Sequence, residues 1–171
     1  MTAYKYDQLN RIKLVHAHRN YNSITNAFTG STGDDGKYLE AFLYDRNGNI
    51  MGVERHGNNT GGTQWMDDFT YKYYDQSGSI ISYSGSMPLD ATNKLAYVDD
   101  GTSSSNYTTD IDNQTSVSNY EYDGIGNLIS DESEEILKID WLANGKIKSI
   151  TRISTSTKSD LEFVYNAMGN R

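Results

Sequence analysis

Three histidines, several paired carboxylates and a high density of tyrosine are the residues of this chain that could do chemistry. His16 and His18 stand two apart, so both rings fall on one face of a strand, where a two-point metal clip is conceivable. There is no Cys to join them, and no carboxylate stands at a diagnostic spacing. Polar side chains on the wetted face of a strand account for the pair, and His56 is isolated in the sequence. Acidic pairs occur at Asp34-Asp35-Gly36, Asp67-Asp68, Asp99-Asp100-Gly101 and Asp110 with Asp112. Calcium wants roughly six or more converging oxygens. The Asp-x-Asp-x-Asp-Gly loop with a distal Glu is absent, and Asp-Asp-Gly is ordinary turn chemistry.

Nothing here supplies a nucleophile context such as Gly-x-Ser-x-Gly. Gly61-Gly62 lies in a polar stretch with no Gly-Lys-Ser/Thr after it, so no phosphate cradle is expected. A carboxylate pair for glycoside hydrolysis needs a cleft geometry that no spacing in this chain implies. The reading is therefore non-enzymatic, with no catalytic, cofactor or metal residue assigned. Exposed tyrosines can stack on sugar rings, and Asn and Asp can bind hydroxyls, so a carbohydrate-binding surface is the alternative. The sequons Asn58-Asn59-Thr60, Asn106-Tyr107-Thr108 and Asn113-Gln114-Thr115 are formal glycosylation sites.

The tyrosines belong to a phrase that the chain keeps rewriting. Tyr6-Asp7-Gln8-Leu9-Asn10-Arg11-Ile12 returns as Tyr44-Asp45-Arg46-Asn47-Gly48-Asn49-Ile50 and as Tyr122-Asp123-Gly124-Ile125-Gly126-Asn127-Leu128. Looser copies are Trp141-Leu142-Ala143-Asn144-Gly145-Lys146-Ile147 and Tyr165-Asn166-Ala167-Met168-Gly169-Asn170-Arg171. Self-similarity of this kind signals a repeat architecture. In the third copy, Tyr120 and Tyr122 alternate with Asn119 and Glu121, the period of a half-buried strand. Asp123 can cap a type I turn with its carboxylate, and Gly126 supplies a left-handed residue three positions on. Such a turn joins hairpin strands through a bulge. Each cassette is thus predicted to be a β-hairpin: an aromatic strand, a turn, an aliphatic strand.

The departures keep that physics. Asn10 replaces Gly, and Asn is the side chain that best tolerates left-handed geometry. Trp141 replaces Tyr, Asn144-Gly145 is a strong hairpin dipeptide, and Asn166 can make the same side-chain turn as Asp. Leu142 at the Asp position is the poor fit. A further cassette is expected to be split, with Phe69-Thr70-Tyr71-Lys72-Tyr73 entering and Asn93-Lys94-Leu95 leaving. Its rival places the turn at Asp75-Gln76-Ser77-Gly78-Ser79-Ile80. The split version is preferred because Asn93-Lys94-Leu95 mimics Asn127-Leu128. Loop insertions are expected near 20–36, 56–64, 74–92 and 101–117, where Asn, Ser, Thr and Gly gather.

These residues resemble the Rhs/YD-repeat family, whose motif is an aromatic, any residue, Tyr-Asp, two residues, Gly-Asn/Arg and an aliphatic. Tyr4-Lys5-Tyr6-Asp7, Tyr44-Asp45 with Gly48-Asn49-Ile50, and Tyr120-Glu121-Tyr122-Asp123 with Gly126-Asn127-Leu128 carry the resemblance, which covers most of 4–171. The motif positions are Tyr6, Asp7, Asn10, Tyr44, Asp45, Gly48, Asn49, Tyr122, Asp123, Gly126, Asn127, Trp141, Gly145, Tyr165 and Gly169. The resemblance implies an all-β array of antiparallel hairpins forming part of a spiral shell or solenoid. In polymorphic toxins of this kind, and in the C component of Tc toxin complexes, the shell encloses a C-terminal effector domain. Relatives occur as wall-associated proteins and in teneurins, and some are described as carbohydrate-binding.

The expectation is accordingly one repeat array over 1–171, a stretch of wall from a longer protein. Its partners would be neighbouring repeats and an enclosed effector domain of the same parent, and glycans in the alternative. The parent would be secreted or displayed at a bacterial cell surface, with its export address elsewhere. Met1 to Tyr6 leads straight into a cassette and does not read as a signal peptide. Hydrophobic residues make up only 36% of the chain, and 14 residues are Tyr. That suits a thin sheet with a wetted face better than a solid globule, since the ring packs while the hydroxyl stays solvated. The net charge of −8 argues against nucleic-acid binding and against adsorption to anionic membranes. No apolar run reaches the length of a membrane span.

Overall fold

A computed structural model describes residues 1–18, 21–28, 36–58, 64–81, 91–103, 107, 111 and 113–170. Among the described residues the fold is all-β and contains no helix. The strands are β1 (Thr2–Tyr6), β2 (Ile12–Ala17), β3 (Tyr21–Asn22), β4 (Ala27–Phe28), β5 (Glu40–Tyr44), β6 (Ile50–His56) and β7 (Trp65–Asp75). They continue as β8 (Ala91–Asp100), β9 (Tyr120–Tyr122), β10 (Leu128–Asp131), β11 (Ile136–Trp141), β12 (Ile147–Arg152) and β13 (Leu161–Glu162). One sheet has the order β1-β2-β5-β6-β7-β8, a second the order β9-β10-β11-β12-β13, and β3 pairs with β4 alone. Every register established between strands is antiparallel, and among the described residues neither large sheet closes on itself.

The chain divides into two compact units. The first contains β1 to β6 and the second β9 to β13, with β7 and β8 divided between them. In the first, Met51 and Val53 on β6 are buried with Phe69 on β7, and Val53 lies directly opposite Phe69. In the second, Tyr73, Ala91, Ala96 and Ile139 are buried. Alternation explains these choices: Met51 and Val53 face inward while Glu54 faces out, as a period of two requires.

Six turns repeat one geometry. In each, the amide of the first residue donates to the carbonyl four positions on, and the amide three positions on donates back to the first carbonyl. The turns start at Asp7, Asp45, Asp75, Asp123, Leu142 and Asn166. The residue three positions after the start always has positive φ: Asn10 at 59°, Gly48 at 93°, Gly78 at 82°, Gly126 at 96°, Gly145 at 76° and Gly169 at 77°. At Asp123 the carboxylate completes the turn, accepting from the amides of Ile125 and Asn127 and from the Asn127 side chain. Asn166 reproduces two of these bonds, from the amides of Met168 and Asn170. Leu142 forms the same backbone loop with no side-chain acceptor. The left-handed residue, not the carboxylate, is what the geometry requires.

Five of the six turns set an aromatic directly opposite an aliphatic residue, among them Tyr6 with Ile12, Tyr44 with Ile50, Tyr122 with Leu128 and Trp141 with Ile147. Tyr74 bridges to Ile80 in the same way. The ladder slips by one beside most of these pairs, which is the bulge that such a turn imposes.

The preferred turn at Asn93-Lys94-Leu95 does not form; those residues lie inside β8. The turn sits at Asp75, whose carboxylate accepts from the amides of Ser77 and Ser79 and from the Ser77 hydroxyl. This is the rival placement, and Ser79 stands where Asn49, Asn127 and Asn170 stand in other cassettes. Within 20–36, Tyr21–Asn22 and Ala27–Phe28 form a short hairpin instead of plain loop, with Asn26 at φ 50°. Residues 19–20, 29–35, 59–63, 82–90, 104–106, 108–110, 112 and 171 lie outside the described residues, and with them Pro88, Gly61-Gly62 and part of each expected insertion.

Candidate functional site

The cassette residues converge at seams between one hairpin and the next. Continuing the pairing of Leu14 with Ala41 along β2 and β5 brings Arg11 opposite Tyr44. The Arg11 guanidinium lies 4.6 Å from the centre of the Tyr44 ring, and its Nη1 donates to the Asp45 carbonyl at 3.1 Å. Arg11 is held there by its own turn, since Nε donates to the Asp7 carboxylate at 2.7 Å.

The second unit repeats the arrangement. Lys94 Nζ stands 5.9 Å from the Tyr122 ring centre and reaches the Asp123 carbonyl at 3.5 Å. Burial pushes the Tyr122 phenol above its ordinary value, and the Leu95 backbone, which bonds the phenol, works the other way. Lys146 Nζ stands 5.1 Å from the Tyr165 ring centre and donates to the Gly169 carbonyl. Between these two seams, Trp141 Nε1 donates to the Leu128 carbonyl at 2.8 Å. The Tyr165 hydroxyl donates to the Ile147 carbonyl, also at 2.8 Å.

A seam therefore has two halves. At Tyr44, Tyr122 and Tyr165 the outgoing strand offers a cation and, just after it, an aliphatic residue, whereas at Trp141 it offers the Leu128 carbonyl with Asn127 in the cation's place. The incoming strand offers an aromatic with a polar edge. Cation–π attraction is worth about 0.5–1 kcal/mol when exposed, and a hydrogen bond about 1 kcal/mol net. Each seam thus adds modestly to the strand pairing that it accompanies. Open grooves flank two seams: one of about 490 Å³ beside Arg11, Lys13, Tyr44 and Arg46, and one of about 550 Å³ beside Tyr74, Lys94, Glu121 and Tyr122.

Packing against a neighbouring hairpin, the plainer reading of the cassette tyrosines beside sugar stacking, holds for Tyr44 and Tyr122, which are half-buried. It fails for Tyr6, which is 56% exposed. The cations Arg11, Lys94 and Lys146 were not anticipated as site residues. Each stands immediately before an aliphatic residue (Ile12, Leu95 or Ile147), but that local pattern does not name the aromatic that it meets.

The other chemistry-bearing residues are dispersed. His16 and His18 do share a face, with ring centres 4.5 Å apart, and His18 packs on Phe28. His56 lies against Trp65, with Nδ1 3.0 Å from the Gly36 carbonyl. Among the described residues, no group of three or more His, Asp and Glu is arranged to hold a metal ion. Asp100 spends its carboxylate on the amides of Asp68 and Thr102 and on the Thr102 hydroxyl. Asp67 is fully buried and paired with Arg55 at 2.6 Å. Asp34, Asp35, Asp110 and Asp112 lie outside the described residues, as do parts of the sequons at 58–60 and 106–108. Asn113 is described, and its side-chain oxygen accepts from the Asp100 amide at 2.6 Å.

No helix among the described residues is long and apolar enough to cross a membrane. Comparison with known protein-family models yields no match, and comparison with curated proteins likewise yields none.

Proposed function

We propose that this chain is a non-enzymatic stretch of wall, a segment of an Rhs/YD-repeat-like array. Its hairpins continue a spiral shell around an effector domain of the same, exported parent protein. One observation carries the reading: the same turn and the same seam recur with interchangeable parts. Arg stands for Lys, Trp for Tyr, Asn or Leu for Asp, and Asn for Gly, while the backbone bonding of the turn is kept and an aromatic closes the seam. Repetition at this level is the behaviour of a structural brick whose energy lies in nearest-neighbour interfaces. A reacting centre depends instead on one unrepeated constellation.

Following the reading frame through and beyond Arg171, together with electron cryomicroscopy of the parent protein, tests the proposal. The expected result is further cassettes closing around a distinct C-terminal domain. A parent without further cassettes, or with a solid interior, overturns it and leaves surface binding, for which a glycan array is the direct assay.

A further inference from the structure

The first cassette lacks the covering that every other cassette has. Tyr6 occupies the place of Tyr44, Tyr74, Tyr122, Trp141 and Tyr165, all half-buried, yet it is 56% exposed. Tyr4 occupies the place of Phe42, Tyr120 and Phe163, again all half-buried, yet it is 52% exposed. β1 pairs with β2 on one side and forms the edge of its sheet. An edge strand presents backbone donors and acceptors ready to template another strand. Thr2-Ala3-Tyr4-Lys5-Tyr6 carries no Pro and one charge, so little in it opposes such pairing.

We propose that β1 is an acceptor edge for an antiparallel β-strand carrying Lys or Arg immediately before an aliphatic residue. The occupant follows from continuity with the seams inside the chain. Arg11 stands opposite Tyr44 on the register of β2 with β5, and Lys146 stands opposite Tyr165 on the register of β12 with β13. The same register sets the incoming cation over Tyr6, and the backbone of the following aliphatic within reach of the Tyr6 hydroxyl. The chain's own candidates are occupied. Arg11-Ile12, Lys94-Leu95 and Lys146-Ile147 each serve a seam of their own, and Lys13-Leu14, Lys138-Ile139 and Arg152-Ile153 lie in or end β2, β11 and β12, strands that already have a neighbour on both sides. The occupant is therefore a strand from outside the folded chain, not a second copy. This deepens the array reading and rests on it, because the occupant is another hairpin of the same kind.

The test titrates the isotope-labelled chain with a synthetic peptide of the sequence of residues 145–152, Gly-Lys-Ile-Lys-Ser-Ile-Thr-Arg, and follows backbone amides. Saturable shifts confined to 2–6 and the facing side chains are expected. Changing the peptide's first Lys to Gln should weaken binding by about threefold, the value of a partly exposed cation–π contact. Tyr6→Ala should abolish the shifts. Tyr6→Phe, which keeps the ring and loses the hydroxyl, should fall between, and unchanged circular dichroism will confirm that both variants fold. Absent shifts, shifts indifferent to Tyr6→Ala, or shifts at the β13 edge instead overturn the proposal. Self-association of the chain through β1 overturns the choice of occupant. If cassettes precede Met1 in the reading frame and the peptide still leaves β1 untouched, this proposal fails alone. If the peptide binds but no further cassettes exist, the array reading fails alone.

Discussion

The indole Nε1 of Trp141 donates to the backbone carbonyl of Leu128 at 2.8 Å. One hairpin later Tyr165 repeats the bond to Ile147 through a different functional group. Trp141→Phe removes the donor and shrinks the ring, so it should cost more than the roughly 1 kcal/mol of the bond alone, read as a lower urea midpoint at unchanged slope. Trp141→Tyr should recover part of the loss. Equal stability of the wild type and Trp141→Phe would mean that the bond contributes nothing to the seam.

Gly126 sits at φ 96° with nothing within 4 Å of an added Cβ, so any penalty there is conformational and not steric crowding. Gly126→Val should destabilise the hairpin by about 2 kcal/mol, because a β-branched residue resists positive φ. Gly126→Asn should cost less, since Asn10 holds the equivalent place at φ 59°. Gly124, two residues earlier, is equally open but has no positive φ. Gly124→Ala should therefore change stability by less than about 0.5 kcal/mol. Thermal denaturation of the three variants checks the order.

Acid should open some turns and spare others. The Asp7 carboxyl is held below its ordinary value by the Arg11 amide first, and by the Arg11 side chain. At Asp75 the Ser77 hydroxyl does most, then the Ser79 amide. At Asp123 desolvation pushes upward, but the Asn127 amide and side chain outweigh it. A depressed folded value means that the stabilising contribution is present above the unfolded carboxylate range and is lost as pH falls through the folded one. The amides of Leu9, Ser77 and Ile125, bonded to these carboxylates, should shift on acidification below about pH 4. The turns at Leu142 and Asn166 have no carboxylate and should hold their backbone bonds. An NMR titration in which all turns respond together would contradict this division.

Arg55 and Asp67 form the most consequential ion pair. Asp67 is fully buried, and its second oxygen, Oδ1, has no hydrogen-bond partner among the described residues. Arg55→Met should destabilise by about 3 kcal/mol, because it strands a buried charge. Adding Asp67→Leu should restore much of that loss, since replacing both members of a buried pair is often close to neutral. A double variant no better than the single one would locate the cost in packing by the Arg55 stem instead.

The hairpins were legible because their decisive positions are local. Asp123 and Gly126 are three residues apart, and Tyr120 and Tyr122 alternate in plain sight, so strand, turn and bulge follow from a short window. Even Leu142 was recoverable, since Gly145 carries the geometry. The turn at Asp75 was read second because Ser79 lacks the amide side chain that marks Asn49 and Asn127, while Asn93-Lys94-Leu95 imitates that mark inside a strand. The seam cations were illegible for another reason. Arg11 finds Tyr44 and Lys94 finds Tyr122 only after separate hairpins pair, and a lone cation beside a turn looks solvated until its neighbour is in place. Arg55 and Asp67 meet across β6 and β7, again a partnership that no short window contains.

Three outgoing strands offer a cation, and others a backbone carbonyl alone, to an aromatic on a neighbouring strand, so the flanks of these hairpins complement one another. A unit of this kind can be duplicated or excised in a gene without leaving a mismatched flank, because any remaining neighbour meets the same partner chemistry. The irregular steps between Tyr6, Tyr44, Tyr74, Tyr122, Trp141 and Tyr165 fit such a lineage. Among the described cassettes of this chain, one left-handed residue per turn recurs while the residues around it vary.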